Sequence, residues 1–136
     1  MSKSTPKRAK KAPPLPVPPD VATAVEAADA KKATDIVALD LRKADGFTDY
    51  FVICTAHNQR QIKAVADGIE EALRVGHQRK PAHVEGYRGA EWVLLDYFDF
   101  VVHVFTPETR TFYGLERLWG SASSVDLHSI LSAPGR

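Results

Sequence analysis

The residues from Glu91 to Phe105 constrain the fold of this chain more than any other stretch. Val, Leu, Phe, Tyr and Trp dominate it, and these residue types favour pleated, half-buried backbone. We interpret it as two strands joined by a tight turn near Tyr97–Asp99. Because side chains alternate between the faces of a strand, both faces of this hairpin are largely apolar. The chain's own helices can cover one face, so the pattern favours a surface that binds a partner over a catalytic pocket.

The same alternation assigns individual side chains to the two faces. In the first strand Trp92, Leu94 and Asp96 share one face, and the residues between them share the other. In the second strand the even-numbered residues from Phe100 onward lie opposite the odd-numbered ones, which include His103. We therefore expect a stripe of Trp92 and Leu94 on the outward face.

Apolar runs elsewhere in the chain predict three more strands. The run at 34–42 is nearly continuous, which is typical of a central strand buried on both faces. The run at 49–55 follows after a short loop, and so short a connection favours an antiparallel pair. A further short strand is predicted at 81–85, before the hairpin.

Apolar residues at helical spacing predict two helices that pack on this sheet. Asp20 can cap the first, which is short and rich in Ala. The second begins at Asn58, and Gly76 is placed to end it. One or two helical turns are predicted at 112–119, and the remainder is weakly patterned. The sequence thus predicts a single α/β domain with a mixed sheet of about five strands and helices packed on it.

Charge divides the chain into a basic arm and an acidic body. The 136 residues have a formal net charge of +1, yet residues 1–19 carry five basic side chains and no acid. The other 13 Lys and Arg face 17 Asp and Glu, so the body from Asp20 onward has a formal charge of about −4. We interpret residues 1–19, rich in Pro and Lys, as a disordered arm that either adds solubility or touches RNA. The acidic body suits a basic protein partner.

Composition also indicates the cellular compartment. The single cysteine, Cys54, excludes an internal disulfide and fits a reducing cytoplasm. No apolar run approaches the roughly 20 residues that a membrane-spanning helix needs, and no signal-peptide core is visible. We expect a cytoplasmic protein without a membrane partner.

The most enzyme-like group of residues is Asp96, Asp99 and His103. Alternating acids on a strand can hold a divalent metal, but the predicted turn separates Asp96 from Asp99. The Gly-rich phosphate loop of a nucleotide enzyme is missing, and the other histidines lack metal-ligand spacing. We favour surface or hydrogen-bonding roles, since acids near turns are usually structural. The sequence therefore predicts no catalytic residue, no metal and no cofactor.

The loop before the second predicted strand, Phe47-Thr-Asp-Tyr50, leaves two interpretations open. Asp49 stands at the strand entrance, where it can orient Thr48 or a neighbouring backbone N–H. It can also bind a partner, since function concentrates in loops.

Seven motifs along the chain, taken together, resemble one known family. They are Asp35-Ile-Val-Ala-Leu-Asp-Leu41, Phe47-Thr-Asp-Tyr-Phe-Val-Ile-Cys54, the Arg60-Gln61 helix start, His83-Val-Glu-Gly86, Trp92-Val-Leu-Leu-Asp-Tyr97, Val101-Val-His-Val-Phe105 and Tyr113-Gly-Leu-Glu-Arg-Leu-Trp119. In this order they are similar to the ribosomal silencing factor (Iojap-like) family. The match covers residues 20–127, so the arm at 1–19 and a tail at 128–136 lie outside it.

The resemblance implies a nucleotidyltransferase-like fold and a small cytoplasmic protein that is not an enzyme and is often a homodimer when free. It implies binding to the large ribosomal subunit through the fourteenth protein of that subunit. The factor would then block joining of the small subunit and repress translation. The basic arm lies outside the match, and its contact with ribosomal RNA is an expectation from its charge alone. The alternative that the fold alone permits is a metal-dependent nucleotidyltransferase.

We expect the partner-binding surface to lie on the hairpin and on the loop before the second strand. An acidic domain with an exposed Trp and Leu stripe suits a basic ribosomal protein, and Trp is enriched among interface hot spots. The predicted contact residues are Trp92, Leu94, Asp96, Tyr97, Asp99, His103 and Asp49.

Phe98 departs from the family pattern, which usually has Gly between Tyr97 and Asp99. If the turn requires a positive φ at this position, Phe is costly there. A wider turn is the alternative, and the direction of the Asp99 side chain depends on which turn forms.

Overall fold

The computed structural model describes residues 15–44, 48–86, 89, 91–118 and 123–131. A six-stranded sheet with helices packed on it forms from these residues. In chain order the elements are α1 (Pro19–Ala30), β1 (Thr34–Asp40), β2 (Tyr50–Thr55), α2 (Gln59–His77), β3 (His83–Glu85), β4 (Trp92–Asp96), β5 (Phe100–Phe105), α3 (Pro107–Tyr113), α4 (Leu115–Leu118), β6 (Ser123–Val125) and α5 (His128–Leu131).

The sheet is mixed, with the strand order β3-β4-β5-β2-β1-β6. β2 and β5 pair in parallel, and the other neighbours pair antiparallel. The predicted α/β fold with a mixed sheet is confirmed, but the sheet has six strands rather than about five. The additional strand, β6, has only three residues, two of them Ser, and is too short for an alternating pattern to reveal it.

The centre of the sheet is the β2–β5 pair, in which every residue is buried. β1, which the sequence predicted as a central strand, lies between β2 and the edge strand β6, and its first two residues are exposed. The prediction is confirmed for the position of β1 between two other strands, but burial along its whole length is not, because only Ala38 and Leu39 are buried. The predicted antiparallel pairing of β1 with β2 is confirmed.

The main core lies between one face of the sheet and the helices α1 and α2. Val93 and Leu95 of β4, and Tyr97 directly after it, belong to this core. On the opposite face Trp92 and Leu94 pack against a smaller apolar cluster from β1, β2 and β5. The predicted alternation is therefore confirmed. The members of this cluster are buried within the chain itself, so the second face is not the broad open patch that the sequence indicated.

Both ends of the packed region extend beyond the predicted boundaries. Pro18 caps α1, and Asp20 lies in its first turn, so Asp20 is not the cap. Val17 is 4% exposed and belongs to the main core, as does Ile130 of α5 at 2%. Residues 17–19 and 128–131 are thus part of the folded domain. In the rest of the predicted arm, Leu15 and Pro16 are exposed, and residues 1–14 lie outside the described residues.

Helix α2 begins where the sequence predicted and ends slightly later. The Asn58 side chain accepts a hydrogen bond from the Gln61 N–H at 2.8 Å. The helix passes Gly76 and ends at His77, and Gln78 caps it with a left-handed φ of 51°. Gly76 is therefore inside the helix rather than its stop. Neither α2 nor any other helix of the described residues is long and apolar enough to cross a membrane.

Candidate partner-binding surface

An aromatic ladder runs from the sheet to the surface at the start of β4. The Trp92 ring packs on Phe105 with ring centroids 5.0 Å apart, and on Tyr113 at 4.6 Å. Phe112 then meets Tyr113 edge-on at 5.0 Å. Phe105 is fully buried, whereas Tyr113 is 49% and Phe112 79% exposed. We call Trp92, Phe112 and Tyr113 the aromatic surface, because they continue the apolar cluster into solvent.

Helix α3 holds two of these rings in place, although it has only seven residues. Pro107 occupies its first turn, and the Thr106 side chain accepts a hydrogen bond from the Thr109 N–H at 3.3 Å. Gly114, with a φ of 55°, ends the helix in the left-handed region, where glycine is favoured. Both ends of α3 are thus fixed by local sequence.

Arg110 anchors α3 to the sheet. Its Nη1 donates to the backbone oxygen of Asp35 at 2.7 Å and to Oγ1 of Thr55 at 2.8 Å. Its Nε and Nη2 donate to the Glu116 carboxylate at 3.1 and 2.7 Å. Hydrogen bonding to Arg110 holds the pKa of Glu116 below its usual value. These bonds keep the aromatic rings of α3 beside Trp92.

Carboxylates flank the aromatic surface. A shallow pocket of about 490 Å³ lies there, lined by Glu91, Trp92, Glu108, Thr109, Phe112 and Tyr113. The rings offer apolar contact, and the acids at 91 and 108 favour cations. This combination suits a protein surface with positive charge around an apolar side chain.

The orientation of Trp92 is fixed from beneath by His103. The indole Nε1–H donates to Nδ1 of His103 at 3.1 Å. The imidazole is 4% exposed and meets the Phe51 ring edge-on at 4.6 Å. Burial lowers the pKa of His103 from 6.5 to about 3, so the ring is neutral at physiological pH. Since Nδ1 accepts, the ring proton is on Nε2, which has no hydrogen-bond partner among the described residues.

A second polar centre lies at the other end of the hairpin, around Arg79. Its guanidinium pairs with Asp20 at 2.6 Å and with Asp99 at 2.9 Å. It also donates to the backbone oxygen of Tyr97 at 2.8 Å. It also lies over the Tyr97 and Phe100 rings, 5.6 and 5.5 Å from their centroids. Arg79 thus ties the hairpin turn to the first turn of α1.

Residues 14–135 match the family model described as ribosomal silencing factor during starvation. The chain belongs to the ribosomal silencing factor family. The ribosomal silencing factor of Bacillus subtilis is 44% identical over 105 residues, which are 76% of this chain and 87% of that protein. A crystal structure of a Chromobacterium violaceum protein is 35% identical and matches with a TM-score of 0.71 over 74% of this chain and 83% of that chain.

A eukaryotic relative carries a different name. The mouse protein called mitochondrial assembly of ribosomal large subunit protein 1 is 31% identical over 98 residues, which are 71% of this chain and 43% of that protein. The family that the motifs resembled is confirmed. The names in this family denote ribosomal silencing and assembly, which is a regulatory class of function.

For this member of the silencing factor family, Trp92 and Leu94 lie where the sequence placed them. Both are half-buried, on the face opposite the main core. Trp92 forms part of the aromatic surface, while Leu94 packs against the smaller cluster. The predicted stripe is therefore only partly open to solvent.

Two predicted contact residues are inside the protein. Tyr97 is 1% exposed and stacks on Phe100 with centroids 4.8 Å apart, and burial raises the pKa of its hydroxyl. His103 is buried beneath Trp92. The prediction that these two side chains contact a partner is corrected, because strand alternation and packing turn both rings away from solvent.

The three predicted aspartates serve the hairpin turn. The Asp99 carboxylate pairs with Arg79, and Oδ1 of Asp96 accepts the Phe98 N–H at 2.8 Å. The backbone N–H of Asp49 donates to the backbone oxygen of Asp99 at 3.0 Å. Each position is at least partly exposed, so the turn leaves acidic groups at this end of the sheet.

The enzyme-like trio of Asp96, Asp99 and His103 does not converge. Asp99 points to Arg79 above the main core, whereas His103 is buried on the opposite face of the sheet. In the described part of the chain no group of three or more His, Cys, Asp or Glu side chains could hold a metal.

Sequence reasoning missed Phe112 as a surface residue and used Tyr113 only as part of a motif. The available signal was two adjacent aromatic residues in a predicted helix of one or two turns. Such a helix buries one stripe, so neighbouring residues cannot both face the core.

Proposed function

We propose that this protein binds the large ribosomal subunit, blocks joining of the small subunit and thereby represses translation. Its partner on the subunit is the fourteenth protein, which it meets with the aromatic surface. Membership of the silencing factor family supports a ribosomal target, and the name of the mouse relative supports the large subunit.

The observation that carries this proposal is the exposure of Phe112 beside Trp92. Phe112 is 79% exposed on a helix that Arg110 fixes to the sheet. An exposed aromatic side chain adds little to the stability of the free protein. Because this one is held rigidly, it loses little conformational entropy when a partner covers it. Glu91 and Glu108 flank the rings and would attract a basic ribosomal protein.

Steric blocking needs only occupancy of a surface. The groups at the aromatic surface are aromatic rings, carboxylates and a buried neutral imidazole. They provide apolar contact, charge complementarity and rigidity. A bound protein of 136 residues is large enough to occupy a face on which another subunit would dock.

The basic residues at the start of the chain supply a second contact in this proposal. Lys3, Lys7, Arg8, Lys10 and Lys11 would pair with ribosomal RNA phosphates, which release counterions on binding. Removal of residues 1–14 should therefore weaken binding to intact subunits and reduce its salt dependence. Binding to the isolated fourteenth protein should not change.

We further propose that the free protein is a homodimer in the cytoplasm, as the family resemblance implies. Sedimentation equilibrium across a range of concentrations tests the dimer. A single species with the mass of one chain, 15.0 kDa, at all concentrations would contradict it.

Co-sedimentation with isolated large subunits tests the proposed surface. Phe112→Ala should keep its thermal stability and bind about 2 kcal/mol more weakly, in the range of interface hot spots. Val75→Ala is the matched control, since Val75 is 61% exposed on α2, a helix of the other sheet face. Equal weakening by both variants, or by neither, would contradict this surface as the binding site.

A further inference from the structure

The turn between β4 and β5 holds Phe98 in a conformation that suits glycine. Its φ is 74°, in the left-handed region that a bulky side chain rarely adopts. The Asp99 N–H donates to the Tyr97 oxygen at 2.9 Å, which closes a three-residue γ-turn around Phe98. A γ-turn with positive φ is strained. The tight turn therefore forms with Phe at its centre, and the wider turn does not.

Hydrogen bonds on every side impose this conformation. Oδ1 of Asp96 accepts the Phe98 N–H at 2.8 Å, and the Thr48 hydroxyl donates to the Phe98 oxygen at 2.7 Å. The backbone after Phe98 is held as well, because the Asp49 N–H donates to the backbone oxygen of Asp99 at 3.0 Å. A strained residue persists only where its surroundings over-determine it, and such residues cluster at functional sites.

The Phe98 ring contributes little to the packing of the free protein. It is 74% exposed, while the neighbouring rings of Tyr97 and Phe100 are buried in the main core. The chain thus carries both a strained backbone and an exposed large apolar side chain at one position. Glycine would relieve the strain and remove the exposed ring, so the isolated fold does not explain the phenylalanine.

The charges around the ring indicate what kind of molecule it meets. Asp20, Asp49, Asp96 and Asp99 lie at this end of the hairpin, and Arg79 pairs with two of them. Arg42 also interacts with Asp49, but its ion pair is with a further acid, Asp40. The remaining negative charge repels nucleic acid phosphates and anionic lipid headgroups. It attracts a protein surface rich in Lys and Arg.

We propose that Phe98 is an aromatic anchor that inserts into an apolar pocket on a basic protein partner. This inference rests on the proposed function, because it takes the partner to be a protein of the large ribosomal subunit. Phe98 follows Trp92 by six residues along β4 and the turn, so at about 3.3 Å per residue the two are at most roughly 20 Å apart. Both ends of the hairpin therefore fit within one interface of ordinary size.

Phe98→Gly separates anchoring from folding. In the full-length protein it should raise the melting temperature by a few degrees, because glycine adopts the positive φ without strain. The same variant should bind isolated large subunits roughly tenfold more weakly or worse. Phe98→Ala should also lose affinity but should not gain stability, and Phe98→Tyr should retain wild-type binding.

Each result has a distinct meaning. Wild-type affinity in Phe98→Gly would overturn the anchor while leaving the proposed function intact. A lower melting temperature in Phe98→Gly would show that the ring supports the fold, and would also overturn it. If wild-type protein fails to bind large subunits at all, the proposed function fails together with the anchor.

Discussion

The Trp92 indole and the His103 imidazole form one unit, joined by a 3.1 Å hydrogen bond from Nε1–H to Nδ1. They lie on the neighbouring strands β4 and β5. Trp92 pairs with Phe105 and Leu94 pairs with His103, so Trp92 is two residues along from the partner of His103 and on the same face of the sheet. His103 is buried and Trp92 is half-buried above it. A neutral imidazole inside the sheet therefore sets the angle of a ring that reaches the surface.

A double-mutant cycle measures this relationship. Trp92→Phe and His103→Phe each remove one partner of the hydrogen bond and keep an aromatic ring. We expect a coupling free energy of about 1 kcal/mol in urea unfolding, the usual value for a single hydrogen bond. Additive effects of the two substitutions would show that the contact does not stabilise the fold.

The stability of the protein should fall as pH falls below the ordinary pKa of histidine. His103 has a pKa of about 3 when folded, against 6.5 ordinarily. Between these values the unfolded chain binds a proton that the folded protein does not. The contribution is complete above pH 6.5, and below it stability is lost by at most about 1.4 kcal/mol per pH unit.

Unfolding of wild type and His103→Phe at several pH values between 5 and 7 checks this expectation. Other titrating groups cancel in the comparison, since both proteins contain them. The wild-type curve should be the steeper one. Parallel curves would contradict a buried, neutral His103.

Arg79 should contribute much more to stability than Arg74, although both form ion pairs. Arg79 is partly buried and binds two carboxylates and a backbone oxygen, whereas the Arg74–Glu71 pair is exposed with a 3.7 Å separation. Arg79→Met should lower the free energy of unfolding by about 2 kcal/mol. Arg74→Met should lower it by less than about 0.5 kcal/mol. Similar losses in chemical denaturation would refute the role of Arg79 as the link between α1 and the hairpin.

Charge steering can be tested at Asp96 without disturbing the turn. Asp96→Asn removes the charge but keeps an oxygen that can accept the Phe98 N–H. Association with large subunits at low salt should slow several-fold, with a weaker dependence on ionic strength. Glu71→Gln, an exposed acid on α2, should change neither. Asp99 is less suitable, because its neutralisation would also weaken the ion pair with Arg79.

Local patterns predicted the hairpin well, and the reason is visible in its residues. Trp92 and Val93 alternate between two apolar clusters, so a period of two revealed both the strands and their faces. The Asn58 cap was equally readable, because the bond from its side chain to Gln61 spans three residues. Information contained within one turn or one strand was enough for these features.

Features that depend on distant residues were not predictable in this way. Arg79 meets Asp20 and Asp99 across 59 and 20 residues of sequence, and no local pattern marks that triad. The burial of His103 depends on Trp92 covering it, and the exposure of Phe112 depends on how Arg110 fixes α3. The sequence therefore identified Trp92 on the hairpin, but it misassigned Tyr97 and His103 as contacts and missed Phe112 on α3.

A subunit-joining assay with limiting factor tests the central claim that this protein acts by occupancy. Large subunits are incubated with roughly one copy of the factor per ten subunits, well below saturation by mass action, and joining is followed over time. Occupancy predicts that about one tenth of the subunits fail to join, that this fraction stays constant, and that inhibition saturates near one copy per subunit. Excess free fourteenth protein should reverse it. Progressive loss of joining at the limiting ratio, persisting after the factor is removed, would contradict the account.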